Sequence, residues 1–194
     1  MGYRQVLKIY FTSDLHGYAF PVGFKKDENT LIIDGGDILQ GSPFAQYCSR
    51  ELGDFGVLAK IMNDCGYDFI TLGNHDFNYG RKALSEYLDN LEAQCVCENA
   101  GYPYVIKTML DGTRVGIVGI VTDFVNIWEK PENLQGLEIA DPFKAAKNAL
   151  SELKENVELT ICIYHGGFEK DFESGKLLSS TSENIGCRIC EELS

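Results

Sequence analysis

The chain has 194 residues, 17 basic and 29 acidic side chains for a formal net charge of −12, and 44% hydrophobic residues. That length fits one domain, taken as residues 1–194, and is cramped for two, while the apolar share excludes wholesale disorder. The acidity argues against a surface that grips DNA or RNA by neutralising phosphates, but not against a small phosphate-bearing substrate, because bound metal ions reverse the local charge.

The N-terminus reads MGYRQVLKIYFTSDLHG, and its apolar stretch is too short and too interrupted for a signal peptide or a spanning helix. Val at the sixth position fits a myristoylation pattern poorly. The expectation is a cytoplasmic chain without membrane attachment, or an exported one if an upstream signal has been removed. Val6–Thr12 is β-branched and aromatic and reads as a strand. Leu31–Asp34 is a short apolar strand that runs into Gly35-Gly36. Phe55–Cys65 has helical spacing and stops at Gly66. Asp68–Leu72 reads as a strand, Arg81–Ala93 as an amphipathic helix and Cys95–Glu98 as a short strand. Tyr104–Leu110 and Arg114–Val121 flank Asp111-Gly112, a hairpin signal. Pro142–Asn156 reads as a helix with Asp141 at its N-cap and Pro142 in its first turn. Val157–Tyr164 is a strand ending in His165-Gly166-Gly167, and Ser182–Leu193 a closing helix. This alternation is that of a layered α/β fold. It stops on a helix where a further strand is expected, so the sequence reads as the N-terminal part of a longer catalytic domain.

Seven cysteines, with no export signal, read as reduced thiols. Cys95-Val-Cys97 and Cys187-Arg-Ile-Cys190 have spacings a zinc site accepts, but buried small hydrophobes are the preferred reading.

Four polar clusters follow directly on these strands: Asp14-Leu-His16-Gly17, Gly35-Gly36-Asp37, Gly73-Asn74-His75-Asp76 and His165-Gly166-Gly167. Strand ends are where α/β folds place their sites. The chain has three histidines, His16, His75 and His165, and each lies in such a cluster. A lone histidine is usually a satisfied structural residue, but three of three at strand ends reverse those odds. Asp14 and His16, two residues apart, can turn toward one ion as their strand ends. Asp37 adds a carboxylate whose two oxygens can bridge two ions, Asn74 a neutral carbonyl oxygen and His165 an imidazole. A mixed nitrogen and oxygen set suits Mn²⁺, Fe or Zn²⁺ better than Ca²⁺, and two such ions form a clamp for displacement at phosphorus.

The motifs DLHG, GGDILQGSP, GNHDFNYG and YHGGFEKD resemble those of the calcineurin-like metallophosphoesterases. More narrowly, they resemble the N-terminal catalytic domain of the 5′-nucleotidase and 2′,3′-cyclic-nucleotide 2′-phosphodiesterase branch, with QGSP and NYG leaning to the cyclic phosphodiesterase and 3′-nucleotidase side. The resemblance implies an α/β/β/α metallophosphoesterase fold and two divalent ions, Mn²⁺, Zn²⁺ or Fe. Asp14 and His16 would hold the first, Asp37 would bridge, and Asn74 and His165 would hold the second. It makes His75 the catalytic residue that stabilises charge on the phosphoryl oxygen or leaving group, and a metal-bound hydroxide the nucleophile attacking a nucleotide or cyclic nucleotide. Two departures stand out. No Gly-His-x-His motif follows His165, and the position three after the catalytic histidine, often Asp in 5′-nucleotidases, is Asn78. Asn78 can orient the imidazole but cannot stabilise its cation as Asp would.

Several further residues carry two readings. Asp76 is read as holding its loop by hydrogen bonds, beside the site. Asp123 fits either a place next to the site or a turn opening Phe124–Trp128, and Asn99 either a place near the site or a polar strand-end cap. Asp34 reads as a turn residue, Trp128 as packing rather than a base-stacking platform, and Lys25-Lys26 as solvated surface. The alternative function is a truncated or degenerate module that binds metal or phosphate without turnover.

Overall fold

The computed structural model describes residues 6–18, 23–179 and 181–193. The myristoylation reading falls on residues 1–6 and so lies almost wholly outside the described residues. Strands β1 (Lys8–Thr12), β2 (Thr30–Asp34), β3 (Phe69–Ile70) and β4 (Gln94–Cys95) form one all-parallel sheet in that order. β2 reads TLIID and is buried along its whole length, as a strand covered on both faces should be. In the second sheet β5 (Val105–Thr108) pairs antiparallel with β6 (Arg114–Val121), and β7 (Leu159–His165) runs parallel beside β6.

Three apolar layers follow from the pleat. Leu31 and Ile33 of β2 and Phe69 of β3 face Val115 and Ile117 of β6 and Ile163 of β7, which fills the space between the sheets. On the outer face of the first sheet, Ile32 and Ile70 pack with Leu58, Ala59 and Met62 of α2 (Gly56–Cys65) and Ala83, Leu84 and Tyr87 of α3 (Gly80–Asp89), with α1 (Pro43–Tyr47) alongside. On the outer face of the second, Val118 and Ile120 meet Ala146, Ala149 and Leu153 of a long helix, Pro142–Leu153. The expected α/β/β/α layering holds. The sheets approach so closely that a Cβ on Gly119 would lie 1.9 Å from the Val96 carbonyl oxygen and 2.3 Å from Thr71 Oγ1, so β6 needs glycine there.

The elements differ from expectation mainly at their ends. The strand expected over Asp68–Leu72 is Phe69–Ile70, although backbone bonds from Asp68 to Ile32 and from Thr71 to Asp34 continue the ladder on either side. The strand expected over Cys95–Glu98 is Gln94–Cys95, and Glu98–Ala100 turns as a 3₁₀ helix. Two short helices not anticipated, α4 (Val125–Trp128) and α5 (Pro131–Leu134), precede the long one, here α6. Asp141 caps α6 by accepting from the Lys144 N–H at 2.7 Å, and Pro142 opens it, as the sequence leads one to expect. The closing helix α7 starts at Gly186, not Ser182. Residues before it are used elsewhere, since Asn184 Oδ1 accepts from the Gly167 N–H at 3.0 Å and the Glu169 carboxylate caps the N–H groups of Cys187 and Arg188.

Among the described residues the cysteines form no metal group. Cys95 sits on the first sheet, Cys187 and Cys190 on α7 against α6, and Cys97 and Cys187 are buried. No described helix is long and apolar enough to cross a membrane.

Candidate functional site

The four polar clusters sit at the C-terminal ends of β1, β2, β3 and β7. The first two are stitched together by backbone: the Asp14 N–H donates to the Gly36 carbonyl at 2.9 Å and the His16 N–H to the Asp37 carbonyl at 2.8 Å. This stitching twists the chain hard. Among the described residues four non-glycine residues have left-handed φ, and three of them are Asp14 (57°), His16 (50°) and Asp37 (63°), the fourth being Gln135 (48°). Each such residue costs on the order of 1 kcal/mol, and backbone strain gathers at functional sites because only a demand on the side chain sustains it.

Ligating atoms of Asp14, Asp37 and His165 all lie within 4.8 Å of one another. Asp37 Oδ2 is 3.3 Å from His165 Nε2 and 4.0 Å from His16 Nε2, and His16 Nε2 is 3.9 Å from Asp14 Oδ1. Both imidazoles are set by their other nitrogen. His16 Nδ1 lies 2.6 Å from the Gln40 carbonyl and His165 Nδ1 2.7 Å from the Gly35 carbonyl. A carbonyl only accepts, so each Nδ1 carries the hydrogen and each Nε2 in the neutral ring presents a lone pair to the cluster, the form and orientation that metal-bound histidines take. Two carboxylates and two such imidazoles fit a divalent cation.

The electrostatics fit as well. Burial pushes the Asp37 carboxyl up, but the hydrogen bond and charge of His165 with the His75 N–H hold it below its ordinary value. Burial pushes His165 down, yet the hydrogen bond and charge of Asp37 carry it up to about 9. Each group's charged form depends on the other. A divalent cation held here would take the place of the proton on His165 as partner of Asp37.

Of the other predicted residues, Asn74 lines the same cleft of about 320 Å³ as Asp14 and His165. His75 lies edge-on to His16 with ring centroids 5.4 Å apart, its N–H donates to Asp37 Oδ1 at 2.7 Å, and its Nδ1 is 2.7 Å from Asn78 Oδ1. Asp76 is 1% exposed, and its two oxygens accept four backbone N–H bonds, from Gly73 and Asp37 on one and Ile38 and Leu39 on the other. Burial pushes its carboxyl up, against donors that favour the charged form. It ties the β2 loop to the β3 loop, which approach so closely that a Cβ on Gly73 would lie 2.1 Å from Asp37 Oδ1.

Asn99 is a strand-end cap: it bonds both the N–H and the carbonyl of Val121 and the carbonyl of Ala140. The Asp123 carbonyl accepts from the Asn126 N–H in the turn that opens α4. Trp128 stacks near Phe124 but is half exposed and lines the cleft, so packing does not absorb it. Sequence reasoning missed Ser13, Thr122, Tyr164 and Asn184 on the cleft wall. It also missed Glu129, which accepts from Asn78 Nδ2 at 2.6 Å. Nothing local marks these residues, although Ser13 and Thr122 do stand at strand ends.

A family model, calcineurin-like phosphoesterase, matches residues 7–184. The trifunctional nucleotide phosphoesterase protein YfkN of Bacillus subtilis is 31% identical over 77% of this chain and 12% of its own. A 2′,3′-cyclic-nucleotide 2′-phosphodiesterase/3′-nucleotidase of Haemophilus influenzae is 27% identical over 83% of this chain and 31% of its own. The chain thus spans less than a third of these relatives. Among solved structures, a candidate 5′-nucleotidase from Staphylococcus aureus, in complex with alpha-ketoglutarate, superposes with a TM-score of 0.85 and is 33% identical, over 94% of this chain and 42% of the other.

Proposed function

The chain belongs to the calcineurin-like phosphoesterase family, and on that premise we propose that its strand-end cluster hydrolyses phosphate esters of nucleotides with two divalent ions. The observation that carries this reading is the convergence of Asp14, Asp37 and His165 within 4.8 Å, with the Nε2 atoms of His16 and His165 turned toward Asp37. Asp14 and His16 would hold one ion, Asn74 and His165 the other, and Asp37 would serve both. When bound, such ions supply a nucleophile at neutral pH and Lewis acidity at the phosphoryl oxygens. The relatives named for nucleotide and cyclic-nucleotide phosphoester cleavage support the substrate class.

The chain's own residues do the rest. Asp37 is kept ionised by His165 and by the His75 N–H, so it meets a cation without first losing a proton. His75 uses Nδ1 on Asn78 and leaves Nε2 for substrate. With Nδ1 already carrying a hydrogen, a proton at Nε2 exists only in the imidazolium, which suits donation to the phosphoryl oxygen or to the departing oxygen. Asp76 holds the β2 and β3 loops in register, so that Asp37, Asn74 and His75 keep one geometry.

The test is hydrolysis of bis(p-nitrophenyl) phosphate with added Mn²⁺, beside Asp37→Ala and with Mn²⁺ binding measured on both. Loss of binding together with at least a hundredfold loss of turnover is expected, since a bridging ligand is removed. Turnover that survives Asp37→Ala overturns the reading. Mn²⁺ binding that needs Asp37, without turnover by the parent chain, moves the conclusion to a binding module. A nucleotide panel then resolves 5′-, 3′- and cyclic substrates.

A further inference from the structure

We propose that Glu129 is a positioning residue for His75, acting through Asn78, and that its carboxylate dictates an amide at position 78. This deepens the role proposed above for His75 and rests on it. The contacts run in series: His75 Nδ1 to Asn78 Oδ1 at 2.7 Å, Asn78 Nδ2 to Glu129 Oε2 at 2.6 Å, and Asn133 Nδ2 to Glu129 Oε1 at 2.8 Å. Asn133 Nδ2 also donates to the Asn78 carbonyl at 3.0 Å, and the Lys130 N–H donates to Glu129 Oε1 at 2.8 Å.

The logic runs from the far end. Glu129 receives three N–H bonds, from the Asn78 and Asn133 amides and the Lys130 backbone, so neutral donors hold it in place. A carboxylate accepts only, so Asn78 must turn its NH₂ toward Glu129. Its Oδ1 is thereby left for His75, and His75 Nδ1 must carry the hydrogen. The tautomer of His75 is thus set by a residue 54 positions away in sequence that never touches it. Without Glu129 the Asn78 amide is free to flip, and either ring nitrogen can then hold the hydrogen.

The same contact explains the amide at 78. Aspartate there would face Glu129 at 2.6 Å, and two carboxylates at that distance repel each other. Asn78 with Glu129 delivers one orienting carboxylate by way of an amide. Asp at position 78 with a neutral partner would deliver it directly. The two arrangements are exchangeable as pairs and not as single changes.

The experiment uses Glu129→Ala, Glu129→Gln, Asn78→Asp and the double variant Asn78→Asp/Glu129→Gln. With three histidines in the chain, ¹⁵N spectra of histidine-labelled, metal-free protein report the His75 tautomer without any turnover. The parent chain is expected to show the Nδ1–H form. Glu129→Ala should shift His75 toward a mixture and lower kcat on bis(p-nitrophenyl) phosphate about tenfold with little change in KM, the scale of an orienting partner's loss. Glu129→Gln keeps an acceptor for Asn78 and should retain the tautomer and most of kcat. Asn78→Asp alone should lose more than tenfold, and the double variant should recover most of that loss. Unchanged His75 shifts in Glu129→Ala overturn the proposal, as does additivity of the Asn78→Asp and Glu129→Gln effects. If the Asp37→Ala test removes the hydrolytic reading, the tautomer measurement still decides whether the relay exists.

Discussion

Asp34 shows how far a single burial can reach. It ends β2 three residues before Asp37, is 1% exposed, and accepts from Thr12 Oγ1 and from the Gly36 N–H. Burial pushes its carboxyl up to about 7, more than those bonds pull it down. The folded chain therefore keeps a proton on Asp34 that the unfolded chain releases near pH 4. Stability falls as pH rises from about 4 to about 7, by at most about 1.4 kcal/mol per pH unit, and the loss is complete above the folded pKa. Asp34→Asn should remove that slope, so urea unfolding of both chains across this range should show the variant gaining on the parent as pH rises. A constant difference would mean that Asp34 does not titrate there. From sequence, Asp34 reads only as a turn residue, because nothing in Leu31–Asp34 says that the carboxyl is sealed from water. The strand-end residues Asp14, His16, Asp37, His75 and His165 are conspicuous for the opposite reason: each lies in a glycine-containing polar cluster that follows an apolar run. Glu129 is invisible because its partner is 51 residues away and no local pattern records such a contact.

Elements were legible where periodicity and punctuation agree. The Asp141-Pro142 start of α6 and the Asp111-Gly112 turn between β5 and β6 each carry a local chemical signal, and each lies where the signal points. β3 and β4 were legible as strands but not in extent, since their ends are set by how far neighbouring strands keep pairing. α4 and α5 are four residues each, too short for a helical period to show. What the sequence hides most fully is how closely the two sheets approach. Val115–Val121 reads simply as a buried strand with two glycines, and the structure gives Gly119 its reason, contact with the Val96 carbonyl of the other sheet. A methyl group there has no flexible neighbour to displace. Gly119→Ala should cost at least about 3 kcal/mol, read as a lower urea midpoint or loss of soluble protein. A midpoint within error of the parent would show that the sheets can separate without penalty.

At the scale of the molecule, the two sheets leave edge strands on the same side among the described residues. β6 lies over the ends of β3 and β4, through Gly119 against Thr71 and Val96, and β7 lies over β2, through His165 against the Gly35 carbonyl. That leaves β1 and β7 as neighbouring edge strands. Ile9 and Phe11 stand in register with Leu31 and Ile33, on the face that elsewhere forms the inter-sheet core, yet they are 44% and 58% exposed. Leu159 of β7 is 40% exposed. Unpaired backbone beside bare apolar side chains is a template for another strand. The net charge of −12 opposes self-association, and salt screens that opposition. Sedimentation of the 194-residue chain should show association that rises with concentration and with salt, and Ile9→Lys should move it toward monomer with unchanged secondary structure. An unchanged distribution in Ile9→Lys would mean that β1 is not the pairing edge.

The left-handed backbone at Asp14, His16 and Asp37 sets folding against chemistry. Glycine at any of the three would relax the local backbone and delete a proposed ligand in the same step. At exposed Asp14, where little else depends on the side chain, a thermal screen for sturdier variants would therefore rank a chain with a disabled centre above the intact one. Engineering this scaffold for heat resistance has to exempt those three positions, because relief of backbone strain there would be won at the expense of the centre.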